Sequence, residues 1–145
     1  MSVMNGMNVS ASGMTAQRLR LDIIAQNIAN VNTTRDENGN VYRRKTVVFS
    51  EKDVTSFSDV LMKSSGTVGS GVKVSKIAED NTTEMNKVYD PSHPDADEDG
   101  YVTYPNVNTV QEMTDMIDAT RSYEANVTAF NASKNMALKG LEVGK

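Results

Sequence analysis

Apolar residues return at three- and four-residue steps near both ends of the 145-residue chain, and that rhythm limits what it can fold into more than any motif does. The series Met7, Ala11, Met14, Leu21, Ile24, Ala25, Ile28 and Val31 predicts a helix over residues 8 to 31, because side chains three or four apart share a helical face. Leu19 and Ile23 fall off that face. A helix with two apolar faces expects more than one neighbour.

A second helix is predicted over residues 107 to 141, with Val110, Met113, Ile117, Tyr123, Val127, Phe130, Leu138 and Leu141 as its stripe. Met113, Thr120, Val127, Lys134 and Leu141, seven apart, keep the rhythm of coiled-coil packing. Asn108 or Thr109 suits the cap, and Glu112 in the first turn complements the helix dipole. The two helices would reach roughly 35 and roughly 50 Å.

The stretch between them is of another character. Asn38-Gly39 is a favoured hairpin corner, with Val41-Tyr42 and Thr46 to Phe49 as flanking strands. Gly66, Gly69 and Gly71 form a flexible link before another short strand over residues 72 to 77. The expected fold is therefore mainly α: two long terminal helices packed as a coiled-coil-like hairpin around a polar, partly β middle. By this division residues 1–32 and 107–145 supply the helices of a core domain, and 33–106 the middle segment.

Composition narrows the function. Asn, Ser and Thr supply 40 residues, only 38% of the chain is apolar, and mean hydropathy is -0.47. Such a chain orders many residues for little burial, which suits a subunit that folds against neighbouring copies. A net charge of -4 argues against nucleic acid as partner. With no cysteine, disulfides and thiolate zinc sites are excluded, a single histidine leaves little for a Ser-His-Asp triad, and neither an enzyme nor a cofactor is expected. No apolar run is long enough for direct membrane insertion, and the first residues do not read as a cleaved secretory signal.

Two local patterns compete for attention. Asp95-Ala-Asp97-Glu-Asp99-Gly100 matches the front of a calcium-binding loop, but Pro105 and Asn106 stand where its glutamate end should be. It reads as a solvated acidic turn. The competing reading of the whole chain is a soluble acidic module with a weak calcium or partner site at 95–106. Arg43-Arg44-Lys45 reads as the polar face of a strand or a contact to an acidic neighbour. Asn27, Asn30, Asn126, Asn131 and Asn135 are poor helix formers inside or ending good helices. Asn30 suits helix termination. For Asn27 and Asn131, simple tolerance and amide pairing across packed helices both stand.

The residues Ser10-Ala-Ser-Gly-Met-Thr-Ala-Gln-Arg-Leu-Arg-Leu-Asp-Ile-Ile-Ala-Gln-Asn27-Ile-Ala-Asn30 resemble the N-terminal signature of the bacterial flagellar rod and hook proteins. Val107 to Leu141 is similar to the same family's terminal helix, and Tyr89 to Asn106 looks like the middle of its proximal-rod members. The resemblance implies an axial structural protein, exported uncleaved by the flagellar type III apparatus. It also implies assembly with copies of itself and other rod subunits into the basal-body rod that crosses the periplasm. On that reading Met14, Leu21, Ile28, Val127 and Phe130 close the intrachain pair, and Leu19 and Ile23 contact neighbours. Asn27, Asn30 and Asn131 join that assembly interface. Phe57 and Leu61 fit a short export-recognition element, or else an amphipathic turn that docks Phe57 on the chain's own helices.

Overall fold

The computed structural model describes residues 3–36, 39–52, 61 and 70–143. Helix α1 runs over Val3–Ala29, strands β1 and β2 over Lys45–Glu51 and Val72–Glu79, strands β3 and β4 over Asn86–Tyr89 and Tyr101–Tyr104, and helix α2 over Thr109–Val143. The mainly α architecture with a partly β middle is the one expected. Both helices stop for local reasons. The Asn30 side chain donates back to the Gln26 carbonyl at 2.9 Å and accepts from Thr33, closing α1. The Asn108 carboxamide oxygen accepts from the backbone of Val110 and Gln111, capping α2.

The chain divides into two compact units, Met1–Leu19 with Val48–Lys76 and Ala119–Lys145, and Arg20–Val47 with Ile77–Asp118. In the first, small residues bring α1 close to α2. A Cβ on Gly13 would lie 2.7 Å from the Asn126 oxygen, and one on Gly6 would lie 3.7 Å from the Ser133 hydroxyl. Ser12 reaches outward from α1 and accepts the Val72 amide at 3.0 Å, which seats the start of β2 on the helix. Gly71 beside it has φ +102°, and a side chain there would meet Ser12.

In the second unit Arg20 meets Asp115 and Asn27 meets Glu112. In both units residue numbers rise along α1 as they fall along α2, so the two helices run antiparallel. Strands β3 and β4 pair antiparallel, with Asn86 opposite Tyr104 and Tyr89 opposite Tyr101. The Tyr89 and Tyr101 rings meet edge to face at 5.3 Å. This hairpin was not expected. Its loop turns through Gly100, whose φ of +77° and contact with the Tyr89 ring leave little room for a side chain.

Two expectations fail here. Val41-Tyr42 is not a strand, because the amides of Arg44 and Lys45 donate to the side chains of Asn106 and Asn27 instead of to a partner strand. The ladder opens only at Lys45. Ile23, expected to face a neighbouring chain, is 4% exposed and is buried within its own chain, as are Ile24 and Val102 of the same unit.

Candidate functional site

At the meeting of α1 with the start of α2 lies a buried carboxamide. Asn27 sits on the inward face of α1 and is 1% exposed. Its amide nitrogen donates to the Lys45 carbonyl at 2.8 Å and to Glu112 Oε2 at 2.9 Å. Its oxygen accepts from the Tyr42 hydroxyl and the Lys45 amide, both at 2.9 Å. Two donors and two lone pairs are the whole capacity of the group, and all four are used.

Glu112 is the centre of charge. It is fully buried on the first turns of α2, and its second oxygen accepts from Arg44 Nε at 2.6 Å. Arg44 also donates to Asp115 at 3.1 Å, and Arg20 reaches the other oxygen of Asp115 at 3.5 Å. Glu112 and Asp115 are three apart on α2, and Arg20 and Asn27 are seven apart on α1, so each helix presents one face to the cluster. Asn106 completes the frame. Its oxygen accepts the Arg44 amide, and its nitrogen donates to the carbonyls of Asp80 and Thr83.

The result is a polar clamp joining the end of α1, the entry to β1, the end of β2 and the start of α2. Burial raises the Tyr42 pKa above its ordinary value, and the negative charges of Glu112 and Glu79 push it the same way. The phenol is thereby held protonated, as donation to Asn27 requires. Paired charges and saturated hydrogen bonds leave no nucleophile poised for chemistry. What the cluster does is hold one arrangement of helix, strand and helix.

Other carboxylates are used as local braces. Asp95 accepts from the Thr34 hydroxyl at 2.7 Å and from Arg35 at 3.1 Å. Asn106, at the far end of the loop read against calcium ligation, is turned inward to the clamp. Among the described residues no group of three His, Asp or Glu side chains converges to hold a metal ion. Asp80 takes four hydrogen bonds from Thr82 and Thr83, led by the Thr83 hydroxyl, which hold its carboxyl far below the usual range.

Of the residues singled out in the sequence, Asn27 lies at the heart of the clamp and Asn30 closes α1. Met14, Leu19, Leu21, Ile28, Val127 and Phe130 are half-buried, and Asn131 is exposed. The cross-helix partner of Asn27 is therefore Glu112. Leu61 is 60% exposed, and Phe57 lies outside the described residues. Sequence reasoning missed Arg20, Tyr42, Asn106 and Asp115. It placed Arg44 in a basic triplet awaiting an acidic neighbour, and the neighbour is α2 of the same chain. The stripe expected on α2 divides in two: Val110, Met113 and Ile117 are 74%, 53% and 53% exposed, on the side away from buried Glu112 and Ala119.

Comparison with known proteins places the chain among relatives. Residues 7–35 match the family described as flagella basal body rod protein, and residues 98–143 match the C-terminal part of the flagellar basal body rod FlgEFG proteins. The chain is 51% identical to the flagellar basal-body rod protein FlgC of Bacillus subtilis, over all of both chains. It is 42% identical to that of Borreliella burgdorferi, over 99% of this chain and 98% of the relative. To that of Escherichia coli O157:H7 it is 37% identical over the full length of both.

Proposed function

The chain belongs to the FlgC family of flagellar basal-body rod proteins, as a structural subunit of the rod and not an enzyme, and from that premise we propose how it assembles and carries load. Its two antiparallel helices bind neighbouring rod subunits and copies of itself. Torque passes through many such helix contacts, and the clamp at Asn27, Arg44 and Glu112 keeps α1, β1 and α2 turning as one piece. The chain reaches the rod through the flagellar type III apparatus, which reads Phe57 and Leu61.

One observation carries the assembly reading. Val110, Met113 and Ile117 form an exposed apolar strip on the same two turns of α2 whose opposite face is locked by Glu112 and Asp115. An apolar strip with an i, i+3, i+7 spacing on a rigid helix is a seam for another helix.

The test is a chain carrying Val110→Asp and Ile117→Asp in place of the native one. The expected result is unchanged helical circular dichroism of the purified protein, with basal bodies that lack a complete rod. Normal rods containing this variant would refute assembly through the strip. For export, Phe57→Ala is expected to slow secretion, and an unaltered rate would remove that role.

A further inference from the structure

The outward face of α1 mirrors the outward face of α2. Arg18, Asp22, Ala25 and Ala29 are all exposed, and at 100° per residue they fall within an arc of about 60°. On α2 the exposed Met113, Ile117, Arg121 and Glu124 fall within about 80°. Both rows step by three and four residues, the spacing of a packing seam. None of the four charged side chains makes an ion pair or hydrogen bond among the described residues.

Resting on the assembly reading above, we propose that α2 of one copy packs antiparallel on α1 of a second copy in a single register. In it Met113 sits on Ala29, Ile117 on Ala25, Arg121 faces Asp22, and Glu124 faces Arg18. Large apolar knobs meet small residues, and each charge meets its opposite. The parallel alternative matches fewer steps. With Ile117 over Ala25 it places Met113 beside Asp22 and Arg121 beside Ala29, and it leaves the charges unmatched.

Two further arguments favour a second copy as the occupant. The chain's own α1 and α2 already face each other through their other sides, at Gly13 with Asn126 and Asn27 with Glu112. In a polymer whose copies all point the same way, α1 and α2 of neighbours run in opposite directions, because they do so within each chain. A contact between two different faces also propagates from copy to copy instead of closing on itself.

The chain has no cysteine, so engineered thiols report without background. Ala25→Cys and Ile117→Cys are made in separate chains, co-expressed, and oxidised in isolated basal bodies. The register brings these positions within disulfide reach. The expected product is a cross-linked heterodimer that appears only when both variants are present. Rods that contain both variants without that product overturn the register and leave the assembly reading standing. Basal bodies whose rods exclude even the wild-type chain overturn both. Charge reversal provides a second arm: Asp22→Arg is expected to block rod formation, and adding Arg121→Asp to restore it. If the double variant stays blocked while both proteins keep their helical circular dichroism, the register is wrong.

Discussion

Arg44 and Glu112 meet at 2.6 Å with the carboxylate fully buried, 68 residues apart in sequence, the one just before β1 and the other on α2. Removing one charge of a buried pair strands the other, at a cost of about 3–5 kcal/mol. Arg44→Met should lower stability by about that amount in urea unfolding followed by circular dichroism, and Glu112→Leu by less, because the partly exposed Arg44 keeps Asp115 as a partner. The double variant should cost clearly less than both losses combined, because neither charge is then left alone. Additive losses would mean that the pair is not coupled.

Asn27→Ala should cost more than Tyr42→Phe. The first takes the Asn27 partner from Glu112 Oε2 and from both the Lys45 amide and carbonyl, whereas the second removes one hydrogen bond of about 1 kcal/mol. Denaturant midpoints of the two variants decide the order.

Alkaline pH should weaken the clamp through Tyr42. Its folded pKa lies above the unfolded value near 10, so its contribution is complete below about pH 10 and is lost as pH rises through the folded value. Stability should fall more steeply above pH 10 in the native chain than in Tyr42→Phe. Phenolate absorbance during the titration reports the ionisation directly.

Acid should act through Asp80, and with the opposite sign. Its pKa is held low by Thr82 and Thr83, so its contribution is present above the unfolded value near 4 and is lost as pH falls toward the folded one. The Asp80 carboxyl resonance should still report the ionised form at pH 3. Asp80→Asn should flatten the loss of stability below about pH 4.

Two helical glycines should respond in opposite ways to alanine. At Gly13 the new methyl meets Asn126 at 2.7 Å, so Gly13→Ala should destabilise, and adding Asn126→Ala should relieve it. Gly140 faces open space, so Gly140→Ala should gain about 0.5–1 kcal/mol from helix propensity alone. Thermal midpoints of the three variants separate these outcomes.

The helices were legible because their signals are local: apolar steps of three and four, Asn108 before α2 and Asn30 at the end of α1. The sequence placed the β1 and β2 cores for the same reason, as alternating β-branched runs beside turn residues. The hairpin of β3 and β4 was hidden because each strand is only four residues long and their pairing spans the long loop through Gly100. The clamp was hidden for a different reason. Arg20, Tyr42, Arg44, Asn106, Glu112 and Asp115 are scattered over 96 positions, and a polar residue on a helix reads as solvent-facing until a buried partner is seen. Asn27 stood out as an amide where a helix would prefer something else, and Arg44 as a base awaiting an acidic neighbour, but nothing in the sequence joined them.

The saturated bonding of Asn27 has a consequence for geometry over distance. If α1 slid by one turn against α2, four hydrogen bonds at this residue would be lost together, and no spare donor or acceptor would soften the slip. Around Asn27 and Glu112 the angular phase of the two helices is thus nearly fixed. When identical pieces are stacked, a small variable offset in each adds as a random walk and bends or frays the stack, whereas a constant offset only sets its pitch. If copies stack as proposed above, a carboxamide buried inside one chain helps to keep the whole stack straight.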